Sequence, residues 1–110
     1  MSDNKPELGS VLERLFKTIE ERKDADPMTS YTATLLAEGH ARCAKKFGEE
    51  AVEAAIAGAM GDKSGLTAEA GDVLYHLLVL MASLGVRLDD VAHALAAREG
   101  TSGHDEKAAR

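Results

Sequence analysis

The chain has 110 residues and a formal net charge of −6, the size of one domain and without the basic, aromatic-interleaved stripe that phosphate-backbone binding of a nucleic acid requires. Hydrophobic residues make up 45% of it but aromatics only 4%, with no Trp, so the core must be Ala, Leu and Val, which suits close-packed helices and argues against a β-sandwich. Cys43 is the only cysteine, which excludes an intrachain disulfide; MSDNKPELGS has no signal-peptide core, and the longest apolar run, at 77–86, is too short to span a bilayer. A cytoplasmic protein with neither nucleic-acid nor membrane partners is expected.

In chain order, Ser10 with Glu13 three residues on reads as a capping box that opens a first helix. Leu12, Leu15, Phe16 and Ile19 continue it at helical spacing to about Arg22. KDADPMTSYT then breaks the pattern, because Pro27 disfavours helix at Asp26. A short helical piece is expected over 33–38, before Gly39, and a longer helix over 40–60. Gly61 and Gly65 bracket a turn, followed by a helix over 67–84 that Gly85 ends. LDDVAHALAARE reads as a last helix with acids at its start, where the helix dipole favours them. No segment alternates with period two. The expectation is one all-α domain over residues 1–98, a bundle of about four main helices, with a disordered tail over 99–110.

The apolar stretch KKFGEEAVEAAIAGAM carries acids that a buried helix face does not want. Glu50 and Glu53 stand three apart and share a helix face, which Glu49 borders. Glu69 and Asp72 repeat that spacing on the next helix. The short turn between the two helices makes them antiparallel. Counted from a turn at 61–65, the acidic pairs fall on different levels, yet they could converge across the interface. Four facing carboxylates would repel, and a divalent cation would relieve that repulsion. All-oxygen donors suit the hard cations Mg²⁺ or Mn²⁺. A di-iron bundle would want Glu-x-x-His on two helices, and no His follows a Glu by three here.

Lys46 lies four before Glu50, either as a surface ion pair or as a point charge for phosphate. His76 lies four after Asp72, and is either a satisfied core histidine or a site residue. Solvated acidic faces remain the rival to a metal site. Spacing alone does not choose between them. Cys43 reads as a small packing residue.

KFGEEAVEAA, then EAGDVLYHLLVLMASLGVRLDDV, with ERKDADPMTSYTATLL upstream, resembles the phosphoribosyl-ATP pyrophosphatases of histidine biosynthesis. The Glu-Glu-x-x-Glu and Glu-x-x-Asp core alone resembles the broader MazG-like, all-α nucleoside triphosphate pyrophosphohydrolases. The resemblance spans roughly residues 10–98 and departs nowhere at the acidic positions. It implies hydrolysis of phosphoribosyl-ATP to phosphoribosyl-AMP and pyrophosphate, and a chain that forms at least a homodimer. It implies Mg²⁺ ligands at Glu50, Glu53, Glu69 and Asp72, with Mn²⁺ able to substitute. Glu49, Glu50 and His76 would take catalytic roles and Lys46 would meet the polyphosphate. Arg22, Lys23, Ser30, Tyr31, Thr32 and Tyr75 would lie along the substrate, Tyr31 either as a contact or as a loop anchor. A MazG-like hydrolase of other nucleoside triphosphates, or a non-catalytic helical dimerisation module, are the alternatives.

Overall fold

The computed structural model describes residues 5–100, which form five α-helices, one 3-10 turn and no strand. Helix α1 spans Leu8–Glu21 and runs into the 3-10 turn Arg22–Asp24. It begins before the expected capping box: Glu7 is the N-cap, makes no side-chain cap bond, and leaves Ser10 inside the helix. Helix α2 spans Tyr31–Glu38 and starts two residues earlier than the apolar pattern suggests, because the Ser30 hydroxyl accepts the Ala33 N–H at 3.1 Å. Helices α3, His40–Ala59, and α4, Lys63–Leu84, form a long hairpin, and α5 spans Leu88–Ala96.

Gly39 alone joins α2 to α3, at φ +98°, a conformation open to few other residues. The α3–α4 turn is shorter than the sequence suggests. Asp62 accepts the Gly65 N–H at 2.9 Å and starts α4 at Lys63, four residues ahead of the expected position. Gly65 is therefore a first-turn helical residue and not part of the turn. A Cβ there would come within 2.2 Å of the capping carboxylate. Gly85, at φ +74°, ends α4, with the Val86 N–H returning to the Met81 carbonyl at 2.9 Å.

Phe16 and Ile19 of α1, Leu35 of α2, Cys43 of α3 and Leu78, Val79, Met81 and Ala82 of α4 form the core. Cys43 packs as a small residue: it is 1% exposed, and its thiol donates to the Leu35 carbonyl at 3.3 Å. By length and mean hydropathy, 1.2, α4 could cross a membrane. Its apolar C-terminal half is accounted for, because that half is the centre of this core. No residue from 44 to 75 is buried. The core thus holds one end of the α3–α4 hairpin, and the other end stands clear of it.

Candidate active site

The acids sit on that uncovered end. Because α3 stops at Ala59 and α4 starts at Lys63, Gly61 marks the middle of the connection. Glu50 and Asp72 each lie eleven residues from Gly61, and Glu53 and Glu69 each lie eight. On antiparallel helices of equal rise this puts each couple at one level. The expectation of different levels fails because it took the turn to run to Gly65. Carboxylate oxygens of Glu50, Glu69 and Asp72 lie within 4.8 Å of one another, the one such group among the described residues. Glu53, exposed, stands outside that trio, yet its charge acts on both Glu50 and Glu69.

The electrostatics follow. Loss of water raises the Glu50 carboxyl above its ordinary range, reinforced by the charges of Glu53 and Asp72. The Glu69 carboxyl is raised in the same way, by desolvation first and then by Glu53, Glu50 and Asp72. Both shifts disfavour ionisation, a cost that a cation at the trio would offset. The donor set fits a hard one: around an octahedral Mg²⁺ with bonds of about 2.1 Å, ligand oxygens stand about 3 to 4 Å apart. A small inward movement of three half-buried or exposed side chains would close the trio onto such an ion.

Lys46 borders the acids but does not pair with Glu50. It binds Glu49 at 3.1 Å, one turn on, and that bond holds the Glu49 carboxyl below the usual carboxylate range. The Lys46–Glu49 pair therefore forms a polar rim beside the trio. Tyr31, at the start of α2, is exposed. Tyr31 also meets the His76 ring edge-on, with centroids 6.2 Å apart, and Tyr75 meets the same ring at 4.9 Å. His76 is 7% exposed, with Nδ1 shut from solvent and without a partner. Burial and the Lys46 charge lower its pKa, so it stays neutral at pH 7.

The remaining expected residues divide. Thr32 shares a hydrogen bond with the Tyr75 hydroxyl, and Ser30 is used as the α2 cap. Lys23 pairs with Glu20 at 3.2 Å and borders a groove with Leu36 and Ser83. Ser83 is about 16 Å beyond Asp72 along α4 by the helical rise, so Lys23 is not brought to the acids. Arg22 occupies the same exposed 3-10 turn. Spacing reveals the carboxylates, since i and i+3 positions share a face. It could not reveal Thr32 with Tyr75, 43 residues apart.

Residues 12–99 match the model of the Phosphoribosyl-ATP pyrophosphohydrolase family. A protein of Cereibacter sphaeroides (strain ATCC 17029 / ATH 2.4.9) named phosphoribosyl-ATP pyrophosphatase is 59% identical over 101 residues, covering 92% of this chain and 98% of its own. One of the same name from Dinoroseobacter shibae is 58% identical, covering 92% and 99%. A third, from Paracoccus denitrificans, is 58% identical over 99 residues, covering 90% and 92%. With a family match over nearly the whole described chain and relatives of matching length at this identity, the chain belongs to the phosphoribosyl-ATP pyrophosphohydrolase family.

Proposed function

We propose that the chain hydrolyses phosphoribosyl-ATP to phosphoribosyl-AMP and pyrophosphate, the second step of histidine biosynthesis, in the cytoplasm. The observation that carries this reading is the convergence of Glu50, Glu69 and Asp72 in a chain so similar to proteins of that name. Glu50, Glu69 and Asp72, with Glu53 closing the face, hold Mg²⁺, for which Mn²⁺ can substitute. Bound there, such an ion would supply Lewis-acid neutralisation of phosphate oxygens. Lys46 contributes a point charge to the polyphosphate, which would release Glu49 from its ion pair. Glu49 or Glu50 then accepts the proton of the attacking water. Neutral His76 shapes the wall behind them and Tyr31 flanks the nucleotide. Arg22 and Lys23, farther along, suit the more distant ribose phosphate.

The active form is a homodimer in this reading. Val52 and Ile56 of α3 and Met60 at its C-cap recur every four residues and are 59%, 54% and 78% exposed. An apolar stripe of that kind on the site-bearing end of a hairpin supports its burial against a second copy.

Release of pyrophosphate from phosphoribosyl-ATP tests the activity. Turnover is expected with Mg²⁺ and its abolition with EDTA. Asp72→Ala and Glu53→Ala should each lose about 10²-fold or more, with the helical circular dichroism retained. Cleavage of phosphoribosyl-ATP no faster than dCTP, dUTP or ITP would instead favour a broader nucleotide hydrolase.

A further inference from the structure

The geometry points to Tyr75 as a positioning residue that acts through Thr32: their hydrogen bond fixes the rotation of α2 and so holds Tyr31 against His76, one turn along α4 from Asp72. The inference rests on the reading of the acidic face as the polyphosphate site, and it removes Thr32 and Tyr75 from the substrate contacts.

Residues 25–30 and α2 form one hydrogen-bonded unit. Asp26 Oδ1 accepts the Met28 N–H at 2.9 Å, and the Asp26 carbonyl accepts the Thr29 N–H at 3.0 Å and its hydroxyl at 3.1 Å. The Thr34 hydroxyl donates to the Pro27 carbonyl at 2.7 Å, and Ser30 caps the helix. These bonds tie the turn to the first turn of α2. Ala33 and Leu35, 3% and 1% exposed, anchor it in the core, but apolar packing is non-directional. Two buried side chains, a single linking glycine and the weak thiol bond of Cys43 to the Leu35 carbonyl, in the second half of the helix, still leave the first turn of α2 free to roll.

A directional bond removes that freedom. Thr32, in the first turn of α2, reaches the Tyr75 hydroxyl, and the neighbouring pair Tyr31 and His76 meet ring edge to ring. Two consecutive residues of one helix thus engage two consecutive residues of the other. Thr32 and Tyr75 are both only half-buried, so neither needed a protein partner merely to avoid an unsatisfied group. A roll of α2 would carry Tyr31 away from the His76 ring and swing Met28, 90% exposed at the tip of the turn, with it.

Tyr75→Phe, Thr32→Val, Thr32→Ser and the Tyr75→Phe/Thr32→Val double variant separate this from a direct role. Two measurements are made: amide hydrogen exchange over residues 26–34 of the free protein, and steady-state kinetics with phosphoribosyl-ATP. Tyr75→Phe and Thr32→Val should each speed exchange in that segment and raise KM about five- to tenfold, with smaller changes in kcat and in the Mg²⁺ requirement. The double variant should be no worse than the worse single one, and Thr32→Ser should restore most of both readouts. A loss confined to Tyr75→Phe, or additive losses in the double variant, would show that Tyr75 serves the substrate directly and overturn the inference. Unchanged exchange in both single variants would overturn it as well. Should the wild-type chain not cleave phosphoribosyl-ATP, the function fails, while hydrogen exchange still decides whether the bond positions α2.

Discussion

Glu50 and Glu69 each hold a proton more tightly in the folded chain than a free carboxyl does, from an ordinary value of 4.5. A carboxyl raised by folding stabilises the native state below its unfolded pKa, and that contribution is lost as pH rises through the folded value. Two neighbours act in the opposite sense. Glu49, lowered by Lys46, contributes stability above 4.5 that is lost as pH falls through its folded value. His76, lowered from 6.5 by burial, contributes stability above 6.5 that is lost as pH falls through its own. The carboxyl effect is therefore read as a difference. Without metal, Glu69→Gln should melt above the wild type at pH 7, and the gap should shrink as pH falls toward 4.5. Added Mg²⁺ should raise the wild-type Tm more at pH 7 than at pH 5, because protons compete for the same oxygens. A Glu69→Gln variant that melts below the wild type at pH 7 without metal would mean the acids do not repel. The sequence displayed these acids plainly, since three-residue spacing is a property of any helix. It could not assign Lys46 to Glu49 over Glu50, because both neighbours lie within reach and only rotamers decide.

At the scale of the element, the Asp62 cap sets where α4 begins and hence where its acids stand. Asp62→Ala should cost about 1 kcal/mol, which lowers Tm by about 4 to 8 °C in a domain of this size, read by thermal denaturation. It should also raise the Mg²⁺ concentration needed for half-maximal rate, because Glu69 lies within two turns of the frayed end. Helix interiors were legible from apolar spacing, and α3 ends within a residue of its expected bound. The starts of α1 and α4 were not. Ser10 has the right partner at Glu13, but the helix can begin earlier on Glu7 and bury nothing less. Gly65 reads as turn because glycine usually marks one, whereas here it clears space for the Asp62 carboxylate inside the helix.

The whole molecule is unevenly covered, with a core at one end of the hairpin and acids beside an apolar stripe at the other. Ile56→Asp should convert the proposed dimer into monomers in sedimentation equilibrium, with α-helical content retained. A wild-type chain that sediments as a monomer at tens of micromolar would remove the dimer. The all-α architecture was legible from composition and period. The burial partner of AVEAAIAGAM was not, because small residues permit close approach within a chain or between chains. The register about Gly61 has a further consequence. With two acids counted out equally on either side, the hairpin bend works as a ruler, and the site depends on chain length there more than on side-chain identity. Replacing a bend residue leaves the count intact, whereas adding or deleting one turns the acids of one helix by about 100° against the other. Descendants of this chain can therefore drift in the letters of the bend, apart from the Asp62 cap and the positive-φ Gly61, but not in their number.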